Sequence, residues 1–186
     1  MSDVHLPVDS GRRLMAIARE TLEGIVYRRP VKNIGIDDPY LNSTAYGAFV
    51  TLFNHDELRG CIGTCAPSRC LRDTVIEMTE AAATRDRRVE PVRIDELDQI
   101  HIDISVLSPL QRADDPLALE IGRHGLHVAY RRKRGVLLPQ VAVEYGWDMR
   151  TFLEQTCVKA MLPKNAWDWP ETIVSSFTAF VIEEGE

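Results

Sequence analysis

The sequence predicts an α+β fold in which antiparallel strand pairs alternate irregularly with helices. Three observations carry this. Strand-like runs come as neighbours, Gly47–Phe53 with Leu58–Ile62 and Gly125–Tyr130 with Gly135–Leu138, as hairpins require. Ile100, Ile102, Ile104 and Val106 alternate with His101, Asp103 and Ser105, the period of a strand with one buried face. The helical periods between these runs do not form the regular strand–helix–strand repeat of a parallel sheet. At 186 residues the chain fits one large domain, or one domain with a small lobe.

Residues 1–9 read as a frayed lead-in. From Ser10, a candidate N-cap, Leu14, Ile17, Ala18, Thr21, Leu22, Ile25 and Val26 line one helical stripe, which Pro30 closes. Pro30, Gly35, Pro39 and Asn42 mark 30–46 as a long surface loop. The strand pair 47–53 and 58–62 follows, turned by Asn54–Glu57. Pro67 is expected at the first position of the next helix, whose buried stripe is Leu71, Val75, Met78 and Ala82. Thr84–Pro91 is a charged loop, and Pro109 ends the alternating strand at 100–106. Leu117–Ile121 fits either a short helix or a strand. Four basic residues, Arg131–Arg134, join two short strands, and their mutual repulsion requires a solvated tip. Pro139–Tyr145 reads as a short helix. Asp148 caps a longer one that buries Phe152, Leu153, Thr156, Cys157 and Ala160. Ile173–Ile182 reads as one unbroken strand.

Composition narrows the function classes. The net charge of -6 argues against a protein that coats nucleic acid. Arginine far outnumbers lysine, a bias that suits carboxylate or phosphate recognition but also arises from composition alone. No apolar run reaches the length of about 18 residues that a membrane helix needs. The first residues lack a basic start followed by an apolar run, so no secretory signal is read there. The expected setting is the cytoplasm, with Cys61, Cys65, Cys70 and Cys157 reduced.

Chemistry concentrates in Leu58-Arg59-Gly60-Cys61-Ile62-Gly63. Gly60 and Gly63 permit close backbone approach by a ligand. Arg59 and Cys61 are two apart, so an extended strand points both to one face. A guanidinium there favours the nucleophilic thiolate, or else holds a ligand carboxylate or phosphate. The competing reading makes Cys61 a small buried hydrophobe and Arg59 a surface residue. His124, within the turn Gly122–Gly125, is a candidate general base, with His127 a weaker one. Gln140 and Glu144 stack at spacing four if Pro139 opens a helix, giving a ligand-binding edge. Arg85, in the run Arg85–Arg88, is a candidate anion contact, against a solvated charge run. Cys61, Cys65 and Cys70 are four and five apart, unlike the triad that holds a radical-generating iron–sulfur cluster. A zinc site would need His55 or Cys157 as a fourth ligand. No metal and no cofactor is therefore expected.

At these residues the chain resembles the AMMECR-type domain family, whose prokaryotic members are called AmmeMemoRadiSam system protein A. The matching pieces are Gly47–Leu52, Leu58–Gly63, Ile104–Leu110, Gly122–Leu126 and Leu137–Ala142, followed by Phe152-Leu153 and Cys157–Ala160, all in family order. One departure is Arg85-Asp86-Arg87-Arg88-Val89, where the family often has Arg-Asp-Pro-Arg-Phe. The resemblance covers about residues 10–183. It implies a single domain with a mainly antiparallel sheet, flanking helices and a small lobe from parts of 30–46 and 110–145. A cleft near Arg-Gly-Cys is implied too. It associates such proteins with a Memo-like protein and a radical SAM enzyme in a shared modification pathway. The leading expectation is an enzyme or enzyme component using Cys61, with Arg59 orienting an anionic group and His124 or Glu144 managing a proton. Gly60, Gly63, Gln140 and Arg85 would contact the ligand. The other is a non-catalytic module that offers the same cleft to a small molecule or a protein.

Overall fold

The computed structural model describes residues 3–30 and 37–185; positions 31–36, including Gly35 of the expected loop, lie outside the described residues. The chain forms two compact units, one from Val4–Leu107 with Phe180–Glu186, the other from Asp3 and Ser108–Ala179. Residues 37–46 belong to the first unit and residues 110–145 to the second.

In the first unit, helix α1 spans Val8–Val26 and begins after Pro7, two residues before the expected cap. Ser10 lies inside the helix, and its hydroxyl donates to the buried Asp38 carboxylate at 2.9 Å. The predicted stripe holds for Leu14, Ile17, Ala18, Thr21 and Leu22, all buried, while Ile25 and Val26 are half-buried. The lead-in is not frayed: Val4 and Leu6 are buried in the same core, because apolar side chains beside a helix stripe extend it. Strands β1 (Gly47–Asn54) and β2 (Glu57–Thr64) form the predicted hairpin. Helix α2 runs over Leu71–Thr84, four residues beyond Pro67; Cys70 is its N-cap, and backbone carbonyls of Ser43 and Leu41 take the amides of Leu71 and Arg72. Strand β3 (Ile100–Leu107) pairs antiparallel with β1, and β8 (Ala179–Glu183) completes the order β2-β1-β3-β8.

Period-two alternation sorts this sheet into two faces. Ala48, Val50, Leu52, Ile100, Ile102, Ile104 and Val106 join Leu14, Leu22, Leu71 and Val75 in one apolar cluster beneath α1 and α2. Phe49, Thr51, Phe53, His101, Asp103 and Ser105 take the opposite face. Gly60 is required by close approach: a Cβ there would stand 2.1 Å from the carbonyl oxygen of Ala82 on α2. Gly63 is likewise covered, with the Phe49 ring where its side chain would be.

A β-bulge interrupts the hairpin. Leu52 pairs with Gly60 but Phe53 pairs with Leu58, leaving Arg59 as the extra residue. The two-residue rule that would align Arg59 with Cys61 therefore fails. The Arg59 guanidinium instead grips Glu96, Nε to Oε2 at 2.8 Å and Nη2 to Oε1 at 2.6 Å, and donates to the Glu90 carbonyl at 3.1 Å. Glu96 sits in the 3-10 turn Ile94–Gln99, so this pair ties the bulge to the segment entering β3.

The second unit holds β4 (Gln111–Arg112), β5 (Gly125–Tyr130), β6 (Lys133–Leu137) and β7 (Ile173–Phe177) in the order β4-β7-β5-β6. Helix α3 covers Pro139–Glu144 and α4 covers Met149–Lys159. Asp148 caps α4 as expected, accepting from the Thr151 amide at 2.8 Å. Phe152, Leu153 and Cys157 are fully buried with Leu126, Val128 and Ala142. The undecided stretch carries only a 3-10 turn, Pro116–Ala118. The expected single strand at 173–182 splits at Thr178 into β7 and β8, which belong to different sheets. No glycine or proline marks the break. Ser108 holds it, donating its amide to the Thr178 carbonyl and accepting the Thr178 amide on its hydroxyl, both at 2.9 Å.

Two predictions follow from this packing. Gly60→Ala should cost about 3 kcal/mol through overpacking against α2, read as a lowered denaturant midpoint; an unchanged midpoint would refute the close approach. The Arg59 hydrogen bonds hold the Glu96 carboxyl down at about 2, against an ordinary 4.5 and despite its burial. A depressed carboxyl stabilises the fold above its unfolded pKa, and the contribution fades as pH falls from about 4.5 to about 2. Glu96→Gln should remove this acid-side slope and about 1–3 kcal/mol at neutral pH; a parallel slope in wild type and variant would refute the assignment.

Candidate thiol site on the first sheet

Cys61 is placed by strand geometry. It pairs with Thr51 across the hairpin. Its amide donates to Asp86 Oδ2 at 2.9 Å and its carbonyl accepts from Arg88 Nη2 at 3.0 Å. Both backbone groups thus turn outward from β1, as in a non-hydrogen-bonded antiparallel pair. Such pairs bring side chains closest, and the Thr51 hydroxyl lies 3.2 Å from the Cys61 sulfur. The sulfur is half-buried on the face turned away from α1 and α2.

The guanidinium beside this thiol belongs to Arg88. It bonds Asp86 through Nε at 3.0 Å and Nη2 at 2.6 Å, and its charge is further favoured by the Cys61 side chain. Asp86 is buried, with its side chain only 3% exposed. The Arg88 hydrogen bond, then the amides of Cys61 and Arg88, hold its carboxyl well below the usual range against the opposing effect of burial. Asp86 and Arg88 therefore form a bracket: one carboxylate and one guanidinium take the outward N–H and C=O of the cysteine.

Two of the other cysteines differ. Burial pushes the thiol of the half-buried Cys65 up to about 12 and that of the fully buried Cys157 to about 11, which disfavours the thiolate at both. Among the described residues, no three His, Cys, Asp or Glu side chains gather as a metal-binding set.

The remaining sequence candidates fall elsewhere. Arg59 is bound to Glu96, with both side chains largely covered. Arg85 caps the end of α2, exposed, with Glu80 at 3.8 Å. His124, Gln140 and Glu144 belong to the second unit. His124 is 8% exposed, and its Nδ1 accepts the Glu120 amide at 3.0 Å, so the imidazole fastens its own turn. Gln140 and Glu144 occupy α3 one turn apart, the former half-buried and the latter exposed. His127 is half-buried on β5, and burial, then Arg134, favours its neutral form. Sequence reasoning missed Thr51 and Asp86 as site residues, and from the run Arg85–Arg88 it chose Arg85 where Arg88 lies beside Cys61. The available signal was a single aspartate within an arginine run just after a helix, the pattern of an anchored carboxylate.

A groove of about 310 Å³ lies between the start of α1 and β8, walled by His5, Leu6, Met15, Phe180 and Ile182. It is mainly apolar and includes none of the candidate residues. No helix of the described residues is long and apolar enough to cross a membrane.

Comparison with known proteins agrees with this architecture. The AMMECR1 family model matches residues 15–182. A protein of Methanothermobacter thermautotrophicus is 42% identical over 184 residues, covering 95% of each chain. One from Thermococcus kodakarensis is 39% identical, covering 94% of this chain and 90% of its own. The crystal structure of uncharacterized protein PH0010 from Pyrococcus horikoshii superposes with a TM-score of 0.88 at 34% identity, covering 97% of this chain and 94% of that one. With its motif order, antiparallel sheets and near full-length matches, the chain belongs to the AMMECR1 family.

Proposed function

We propose that this chain is an enzyme or enzyme component whose chemistry is carried by Cys61, with Arg88 in the role first assigned to Arg59. The observation that supports it is the setting of the sulfur. It sits on a sheet face free of α1 and α2, 3.2 Å from a hydroxyl and beside a guanidinium fixed by a buried carboxylate. A guanidinium beside the sulfur can hold an anionic group of a ligand within its reach. Thr51 supplies a hydroxyl that donates to the sulfur. The reaction class is attack of the sulfur, its proton lost to solvent, on an electrophilic carbon or sulfur of a small molecule, whose bond to a leaving group breaks as that group departs with the electron pair. We place the protein in the cytoplasm, acting in a modification pathway with a Memo-like protein and a radical SAM enzyme, as the family resemblance suggests.

A second reading is a non-catalytic module that recognises a small molecule or protein at the same face. One observation favours it: the sulfur's hydrogen-bond partner is a threonine hydroxyl, not an imidazole that would act as base.

Iodoacetamide labelling with peptide mapping tests the proposal. Cys61 of the native protein should react, and Cys65 and Cys157 should stay unmodified until the chain is unfolded. Arg88→Gln should slow Cys61 labelling about fivefold or more, once circular dichroism has shown the variant folded. In a deletion strain, Cys61→Ser should fail to restore the wild-type metabolite profile. Native Cys61 that resists labelling would overturn the chemistry. Full restoration by Cys61→Ser would leave only the binding module.

A further inference from the structure

The face that carries Cys61 also carries a carboxylate at a fixed distance. Thr51 pairs with Cys61 on one side and with Asp103 on the other, so the three side chains form one row across β2, β1 and β3. Directly opposed residues in antiparallel strands point to the same face. At about 4.8 Å per strand, sulfur and carboxylate stand about 10 Å apart, with the Thr51 hydroxyl between.

Asp103 is unusual for a strand residue. Its Oδ1 is buried and has no hydrogen-bond partner. The nearest cation-capable atom is Nε2 of His101, 3.3 Å away on an imidazole that is 44% exposed. A buried carboxylate oxygen without a partner costs free energy, so such groups usually have a counterpart. Burial raises its pKa, His101 opposes this, and Glu183 and Glu184 raise it further. The Cys61 end has the Arg88 guanidinium, 55% exposed and paired with Asp86.

Resting on the assignment of Cys61 as the reactive group, we propose that Asp103 is the specificity determinant of this site, and that its ligand is a small molecule whose ammonium or amidinium group meets Asp103 while its electrophilic atom reaches Cys61. The distance sets the ligand's size: a linker of about four to six bonds spans the row. Thr51 contacts its middle. His101 is a flanking donor that competes for the same carboxylate and gives way to the ligand cation.

Charged methanethiosulfonates test this directly. The thiolate displaces methanesulfinate and a mixed disulfide forms on Cys61, the same bond change for every reagent, and the two charged reagents carry opposite charges on the same ethyl linker. Rates for a trimethylammonium-ethyl, a sulfonato-ethyl and a neutral methyl reagent are measured on full-length Cys65→Ser/Cys70→Ser protein, with peptide mapping to assign the adduct. In wild-type sequence at Asp103, the cationic reagent should outpace the anionic one after normalisation by the neutral reagent. Asp103→Asn should lower that ratio about fivefold to tenfold, the size expected for one charge at this range in a partly buried site. Asp56→Asn, in the exposed hairpin turn, should leave it within about twofold. Rate changes from altered thiol reactivity affect all three reagents alike and cancel. An unchanged ratio in Asp103→Asn, with the neutral reagent still reacting, overturns Asp103 as the determinant and leaves the Cys61 assignment standing. Failure of the neutral reagent to modify Cys61 overturns both.

Discussion

The bracket formed by Asp86 and Arg88 on the backbone of Cys61 is the constraint from which the site follows. β2 is an edge strand, and an edge strand leaves alternate amides and carbonyls without partners. At Cys61 those two groups are taken by side chains from the segment that follows α2. The bracket closes the edge at that residue and sets which way its peptide groups point. That orientation makes Cys61–Thr51 a close side-chain pair and turns the sulfur to the face opposite the helices. A hydrogen-bonding choice at the backbone thus decides where the sulfur is presented.

Close packing at the two glycines, Gly60 on the helix face and Gly63 on the face of Cys61, supports the same geometry. Gly60 lets β2 come within contact of the Ala82 carbonyl, and Gly63 lets the Phe49 ring lie across the strand. These glycines were natural candidates for ligand contact from sequence, since glycine exposes backbone. In the fold they serve two protein neighbours instead. The consequence is a strand held by close contacts on either side of the cysteine, which fixes its side chain better than a mobile loop would.

Much of the fold was legible because it rests on local periodicity. The stripes of α1 and α2, the hairpin at 47–64 and the alternation at 100–106 are each read from a few residues, and all stand in the structure. The capping role of Asp148 was legible for the same reason. What was illegible depends on partners distant in sequence. Ser10 looked like a cap because its partner Asp38 is 28 residues away. The split at Thr178 is held by Ser108, 70 residues away, and β-branched and aromatic residues run straight through it. At the site, the segment 58–63 stood out from its glycines and cysteine. The bulge that removes Arg59 from Cys61 did not, because its register is set by β1 and its side chain by Glu96.

The two arginines then separate by what they are bonded to and how far they are covered. Arg59 and Glu96 are exposed by only 15% and 17%, with two hydrogen bonds between them. Drawing Arg59 away to a ligand would strand a poorly hydrated carboxylate, a cost that a new anion would have to exceed. Its role is to hold the bulge. Arg88 also has a carboxylate partner, but its own side chain is 55% exposed while Asp86 is 3% exposed. The buried partner receives amides from Cys61 and Arg88 as well, so it stays satisfied when one guanidinium nitrogen reorients. A guanidinium that is anchored at one edge and open to solvent at the other has donors left to offer, and it offers them beside the sulfur.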